Sequence, residues 1–125
     1  MPRMTIKTNV FLNKERKYRM MVELKDAIEL IPNENGDWLM ADFQDESFML
    51  FGENASAPCA SVEINVLDKV YDMTEVTILE DVLAKVTEIV GKYTDVEAGR
   101  IFAYYRNSTL WAAAGENIER GLLKL

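Results

Sequence analysis

Few side chains in this sequence can carry acid–base or nucleophilic chemistry. The chain has no histidine and one cysteine, Cys59. Ser-His-Asp and Cys-His catalysis are therefore excluded, as are histidine metal sites. A single cysteine allows neither an internal disulfide nor a Cys-x-x-Cys redox pair. A proton-transfer group must come from Asp, Glu, Lys, Tyr, Cys59 or the terminal amine. Pro2, directly after Met1, makes the amine the candidate of interest. Removal of Met1 leaves a secondary amine at the start of the chain. An α-amino group has a pKa of about 7.7 to 8.0, and burial in an apolar pocket lowers it by disfavouring the charged form. A terminal proline sunk in such a pocket would be uncharged at neutral pH and able to take a proton. Many chains begin Met-Pro with no catalytic meaning, so the case rests on the residues around Pro2.

The stretch after Pro2 reads as a rigid mount. Met4, Ile6, Thr8 and Val10 alternate with Thr5, Lys7 and Asn9, the pattern of a half-buried strand. Asn13 is then a plausible N-cap. Apolar residues at helical spacing predict a helix over 14–31, closed by Pro32 and the turn Asn33-Glu34-Asn35-Gly36. Residues 38–51 read as a hairpin, Trp38 to Phe43 and Phe48 to Phe51 around the polar turn Gln44 to Ser47. The pattern then restarts with a strand from Cys59 to Leu67 and an amphipathic helix over 74–92, ended at Gly91 or just beyond. A strand over 100–105 comes next, then a short one at Leu110 to Ala112. The tail from Glu116 reads as a helical turn or two, with Leu122, Leu123 and Leu125 seeking a surface.

The order is strand-helix-strand twice, in halves of about 2–51 and 59–112. That is an α+β chain whose two β-α-β repeats form a mixed four-stranded sheet, with short extra strands. Right-handed crossovers put both helices on one face of the sheet. The other face is expected to carry apolar residues from several strands, and an oligomer would cover it.

The 125 residues suit a single domain, 1–125, and about half of them are apolar, enough for a core. The formal net charge of −7 argues against binding to nucleic acid or an anionic membrane surface. No apolar run has the length of a membrane span and no basic-apolar leader precedes the first strand. The expected location is the cytoplasm, with release lacking a signal peptide left open.

Taken together, Met1-Pro2, Lys7-Thr8-Asn9-Val10, Phe51-Gly52, Ser56-Ala57-Pro58-Cys59-Ala60, Leu67-Asp68-Lys69 and Arg100-Ile101-Phe102 resemble, in order and spacing, the tautomerase superfamily. The resemblance is to its macrophage migration inhibitory factor and D-dopachrome tautomerase branch and covers 2–112. It implies a homotrimer whose three sheets form a barrel-like core, with pockets between subunits. It also implies keto-enol tautomerase activity on a small keto or enol acid such as phenylpyruvate, with Pro2 as the base and no cofactor or metal. A protein receptor is a further partner open to proteins of this kind.

Matched residue by residue, the resemblance is incomplete. A family lysine that helps hold substrate falls at Glu34, counted from the following aromatic, Trp38. Arg3 offers a replacement cation, although strand alternation points it to the face opposite Pro2. Phe102 stands where a tyrosine is usual, which removes a phenol donor. Tyr104 stands where asparagine is common, and its hydroxyl can partly compensate. Leu67 matches an apolar pocket residue, and Trp38 and Trp111 could form aromatic walls. For each of these, core or interface packing is the alternative. Cys59 reads as a buried strand residue, Lys69 as solvated, and Asp42, Asp45 and Glu46 as a solvated turn rather than a metal site. Glu34 and Phe102 favour a binding or signalling protein with weak or lost catalysis; the retained Met1-Pro2 favours an enzyme. A reading that needs no family is a ferredoxin-like metabolite-binding dimer, indifferent to changes at Pro2.

Overall fold

A computed structural model describes residues 2–117 of the 125. The first strand, β1 (Arg3–Thr8), leads through α1 (Lys14–Ile28) to β2 (Met40–Gln44), which pairs with β1 in parallel. Next, β3 (Ala60–Leu67) leads through the short α2 (Asp68–Met73) and the long α3 (Val76–Thr94) to β4 (Ile101–Ser108), again in parallel. β1 and β3 pair antiparallel, joining the halves into one sheet in the order β2-β1-β3-β4. A two-residue pair, β5 (Ala112–Ala113) with β6 (Glu116–Asn117), follows. The expected α+β mixed four-stranded sheet is thus present.

Strand alternation decides which residues the helices cover. Met4, Ile6 and Thr8 on β1 and Val62, Ile64 and Val66 on β3 are fully buried. Against them pack Met20, Leu24, Ala27 and Ile28 of α1 and Leu79, Val82, Val86, Ile89 and Val90 of α3. Burying a large aliphatic side chain is worth about 1.5 to 3 kcal/mol, so this two-layer core holds the sheet, and with it Pro2, in place. Asn13 caps α1, its side chain accepting from the Arg16 N–H at 2.8 Å.

Several details differ from the sequence expectation. α1 stops at Ile28 rather than at residue 31. The Leu30 and Ile31 N–H groups bond three residues back, to Ala27 and Ile28, because a residue before proline is steered out of the α region. The expected hairpin is absent. β2 lies parallel to β1, and Phe48 to Leu50 form no strand. Ser47 and Glu46 donate to the Thr8 and Val10 carbonyls, so the chain runs past the end of β1 instead of folding back on β2. Phe48 is left exposed, and Phe51 makes an isolated bridge with Asn54.

α2 was not anticipated. Its six residues sit between two stronger patterns, and Thr74, in extended conformation, separates it from α3. Gly91 lies within α3, which ends at Asp95 in the left-handed conformation (φ 60°), with its N–H bonded to the Gly91 carbonyl at 2.9 Å. Residues 118–125, including Leu122, Leu123 and Leu125, lie outside the described residues, as does Met1. The part of the expected helical tail that is described, Glu116–Asn117, is strand.

The uncovered face is more polar than expected. Arg3, Thr5, Lys7, Asp42, Gln44, Ser61, Glu63, Asn65, Arg106 and Ser108 occupy it by alternation and register. Arg3 pairs with Asp42 at 3.0 Å and Arg106 with Glu63 at 3.8 Å. Ser108 donates to Asn65 at 2.7 Å. Among the described strand residues, the apolar or aromatic ones on this face are Met40, Leu67, Phe102 and Tyr104. No helix among the described residues is long and apolar enough to cross a membrane.

Candidate functional site

Pro2 is buried immediately ahead of β1. Its carbonyl accepts the Met40 N–H at 3.3 Å, which ties the start of β1 to the start of β2. Continuing the β1–β3 register from Arg3↔Asn65 sets Pro2 level with Val66. Leu67 is the next residue, 2 % exposed, and leads directly into α2. A small cleft beside it is lined by Leu67, Asp68, Lys69 and Thr109, with the Thr109 hydroxyl donating to Asp68 at 2.9 Å.

The turn after α1 comes to the same end of the sheet. Its shape is set locally. Asn33 adopts φ 71°, the Glu34 N–H donates to the Ile31 carbonyl, and Asn35 caps the single 3₁₀ turn Gly36–Trp38. Gly36 is required by close approach: a Cβ there would stand 2.8 Å from the Lys25 carbonyl oxygen. The turn is thereby pressed against α1, and Glu34 is buried, 7 % exposed. Burial pushes the Glu34 carboxyl above its usual range.

The remaining residues singled out from the sequence fall into three positions. Trp38 ends the 3₁₀ turn on the Pro2 side and is 58 % exposed. Trp111 follows β4, whose Ser108 is paired with Leu67, so it too stands at this end, partly buried against the core. Arg3 is turned to the opposite face, where its guanidinium holds Asp42 and reaches the Thr5 hydroxyl. Hydrogen bonds from Gln44 and Thr5 and the nearby Arg3 charge hold the Asp42 carboxyl below its usual range, although burial opposes them as the largest single influence.

Phe102 and Tyr104 are elsewhere. They project from the edge strand β4, 61 % and 47 % exposed, beside an open groove lined by Leu83, Ala84, Thr87 and Ile101. Phe102 is registered with Ser61, and Ser61 with Lys7, at the far end of β1 from Pro2. Its ring packs on Phe51 with centroids 5.4 Å apart, and Arg100 lies over Phe51. Five residues along β4 and two strand spacings place Phe102 roughly 19 Å from Pro2, at about 3.3 Å per residue and 4.8 Å per strand. One chain therefore gathers Pro2, Glu34, Trp38, Leu67 and Trp111 at one end and keeps Phe102 and Tyr104 apart from them.

Glu34 is the residue whose place sequence reasoning understated. Set in Asn-Glu-Asn-Gly, it has the signature of a solvated turn. The signal that could have found it was Gly36, which lets the turn close on the helix. The other titratable groups form a structural set. Asp45 accepts the Leu12 N–H and the Lys17 ammonium, and Glu23 pairs with Lys92 and Tyr93 on the outer face of the helices. Among the described residues no group of acidic or cysteine side chains is arranged to hold a metal ion.

No protein-family model matches the chain, and no curated protein matches it in sequence. Solved structures do match in fold. The crystal structure of MIF2 from Leishmania major superposes with a TM-score of 0.81 at 17 % identity, covering 94 % of this chain and 97 % of that one. A macrophage migration inhibitory factor homologue from Prochlorococcus marinus gives 0.77 at 17 % identity over 92 % and 97 %. A symmetric trimer described as fused wild-type 4-OT gives 0.79 at 12 % identity over 95 % and 98 %. The chain has the fold of macrophage migration inhibitory factor-like and 4-oxalocrotonate tautomerase-type proteins.

Proposed function

We propose that this protein is a keto-enol tautomerase in which the amine of Pro2, freed by removal of Met1, is the general base. The observation that carries the reading is the burial of Pro2 at the head of a sheet strand, fixed by the Met40 N–H on its carbonyl. Such a setting disfavours the charged amine and holds the nitrogen in one direction. In the enolising direction the nitrogen takes a proton from the carbon beside the carbonyl. The electron pair of that C–H bond becomes the C=C bond, and the carbonyl oxygen takes the negative charge, then a proton. Ketonisation is the reverse. No redox partner or cofactor enters the balance.

The separation of Phe102 and Tyr104 from Pro2 supports an assembly in which β4 of a neighbouring copy closes the pocket. We take this assembly to be a homotrimer, the state in which the fused 4-OT protein of like fold is described. The Tyr104 hydroxyl is then the side-chain donor offered to the enolate oxygen. Phenylpyruvate is the natural first probe. Its conversion, measured on protein with the N-terminus verified by mass spectrometry, should exceed the buffer rate and be lost in Pro2→Gly.

A second reading, a binding protein with weak catalysis, is favoured by one observation. Phe102 has no phenol to donate, and its exposed ring packs on Phe51 as a contact surface. A protein receptor fits this reading. Conversion absent with Pro2 free would support it.

A further inference from the structure

We propose that the cleft beside Leu67 is a subsite of the Pro2 pocket in which Asp68 receives the far end of the substrate, so that the site prefers an aromatic keto acid carrying an ammonium group there. The inference rests on the reading of Pro2 as the base and names the substrate class for that site. Backbone register supplies the placement. Pro2 precedes the first residue of β1, and continuing from Arg3↔Asn65 sets it level with Val66. Leu67 ends β3 and pairs with Ser108, the last residue of β4. Asp68, Lys69 and Thr109 therefore follow at the same end of the sheet as Pro2. Two residues along and one strand across put Asp68 roughly 8 Å from Pro2. An aromatic ring with a substituent opposite its attachment spans such a gap when the reacting carbon stands at the Pro2 nitrogen.

The cleft holds about 190 Å³ between Leu67, Asp68, Lys69 and Thr109. Pockets that enclose a whole small molecule start at roughly 300 Å³, so this one fits an end group. Leu67 gives it an apolar wall, and the polar groups decide what enters. The Thr109 hydroxyl donates to Asp68 Oδ2 at 2.9 Å and so orients the carboxylate. Asp68 Oδ1 makes no hydrogen bond among the described residues and is open to a donor. Asp68 is half-buried, whereas Lys69 is exposed. A half-buried, oriented charge acts on a ligand more strongly than an exposed one. The sign of the cleft is therefore that of Asp68, and the net charge of −7 adds to it. A methyl group at the far end of the ring would leave Oδ1 unpaired, and a carboxylate there would be repelled.

The test is binding and turnover on the full chain with Met1 removed. Binding uses three propionates that differ only at the far end of the ring: 3-(4-aminomethylphenyl)propionate, 3-(4-methylphenyl)propionate and 3-(4-carboxyphenyl)propionate. They are titrated by calorimetry against native protein, Asp68→Asn and Thr109→Val. The native protein should bind the aminomethyl probe at least about tenfold tighter than the methyl probe, a difference of about 1.4 kcal/mol, and the carboxyl probe most weakly. Asp68→Asn should bring the aminomethyl-to-methyl ratio toward one. Thr109→Val, which removes the hydroxyl that orients the carboxylate, should lower it part of the way. Because the probes share one end, damage to the fold or to the Pro2 end would weaken all three alike and leave the ratio standing. A ratio unchanged by Asp68→Asn, tightest binding of the carboxyl probe, which would give the choice to Lys69, or no binding of any probe overturns the proposal. Turnover of phenylpyruvates bearing the same three groups separates the two readings. The binding preference without turnover of any of them keeps Asp68 as the selector and removes Pro2 as the base. Turnover that is lost in Pro2→Gly, with a binding ratio indifferent to Asp68→Asn, keeps Pro2 and removes Asp68.

Discussion

Pro2 and Phe102 stand at opposite ends of one sheet, two strands apart, so a pocket containing both must draw them from two chains. The relationship follows from register, Arg3↔Asn65 and Phe102↔Ser61. It predicts complementation. Pro2→Gly chains and Phe102→Ser/Tyr104→Ser chains should each be inactive alone. Unfolded together in equal amounts and refolded, they should regain about one quarter of native activity, the share of pockets that receive an intact Pro2 and an intact neighbouring β4 in a closed ring. No recovery in assemblies shown to be mixed would place the site within one chain.

Restoring a phenol at position 102 should help catalysis. Phe102→Tyr adds a hydroxyl at an exposed ring position and disturbs little packing. Where the second chain closes the pocket, that hydroxyl adds a donor for the enolate oxygen. The expected result is a several-fold rise in kcat, read in the enol–keto assay. Thermal stability should be unchanged.

The turn that carries Glu34 should be sensitive at Gly36. An added methyl at Gly36→Ala meets the Lys25 backbone at 2.8 Å and must displace the turn. Overpacking of this kind costs about 1 to 3 kcal/mol, to be read as a lower denaturation midpoint.

Asp45 should make stability fall at low pH. The Leu12 N–H, then Lys17, hold its carboxyl below the usual value, although burial opposes them. A folded pKa below the unfolded one means that Asp45 contributes stability above the unfolded pKa, about 3.9. That contribution is lost as pH falls through the folded value. Asp45→Asn should therefore lower the urea midpoint at pH 7, and the difference from native protein should close below about pH 4.

Much of this fold is written in period and punctuation. Met4, Ile6 and Thr8 alternate, Val82, Val86, Ile89 and Val90 keep helical spacing, and Asn13 caps where a cap is needed. The failures arise where local pattern and tertiary setting disagree. Phe48 to Phe51 have the composition of a strand, but β2 uses its pairing edge on β1, and Ser47 follows the end of β1 instead. Asp68–Met73 are too few to show a helical period. Gly91 has the composition of a cap, yet it serves the approach of the Val96 carbonyl, 3.3 Å from where its Cβ would be.

Of the candidate site residues Pro2, Leu67, Phe102 and Tyr104, only the order along the chain was legible. Their division between two ends of the sheet was not, because register is a property of pairing. The burial of Glu34 was hidden by the polarity of its neighbours. Arg3 was legible as a residue of the opposite face from alternation alone, and it lies there with Asp42.

The role of Pro2 is best tested by the enol–keto conversion of phenylpyruvate and its methyl ester by native protein and Pro2→Gly, each with its N-terminus verified by mass spectrometry. Native protein beginning at Pro2 should convert both above the buffer rate, and Pro2→Gly should lose most of that conversion with the fold retained. Equal conversion by the two proteins, or none by native protein with Pro2 free, would refute Pro2 as the base.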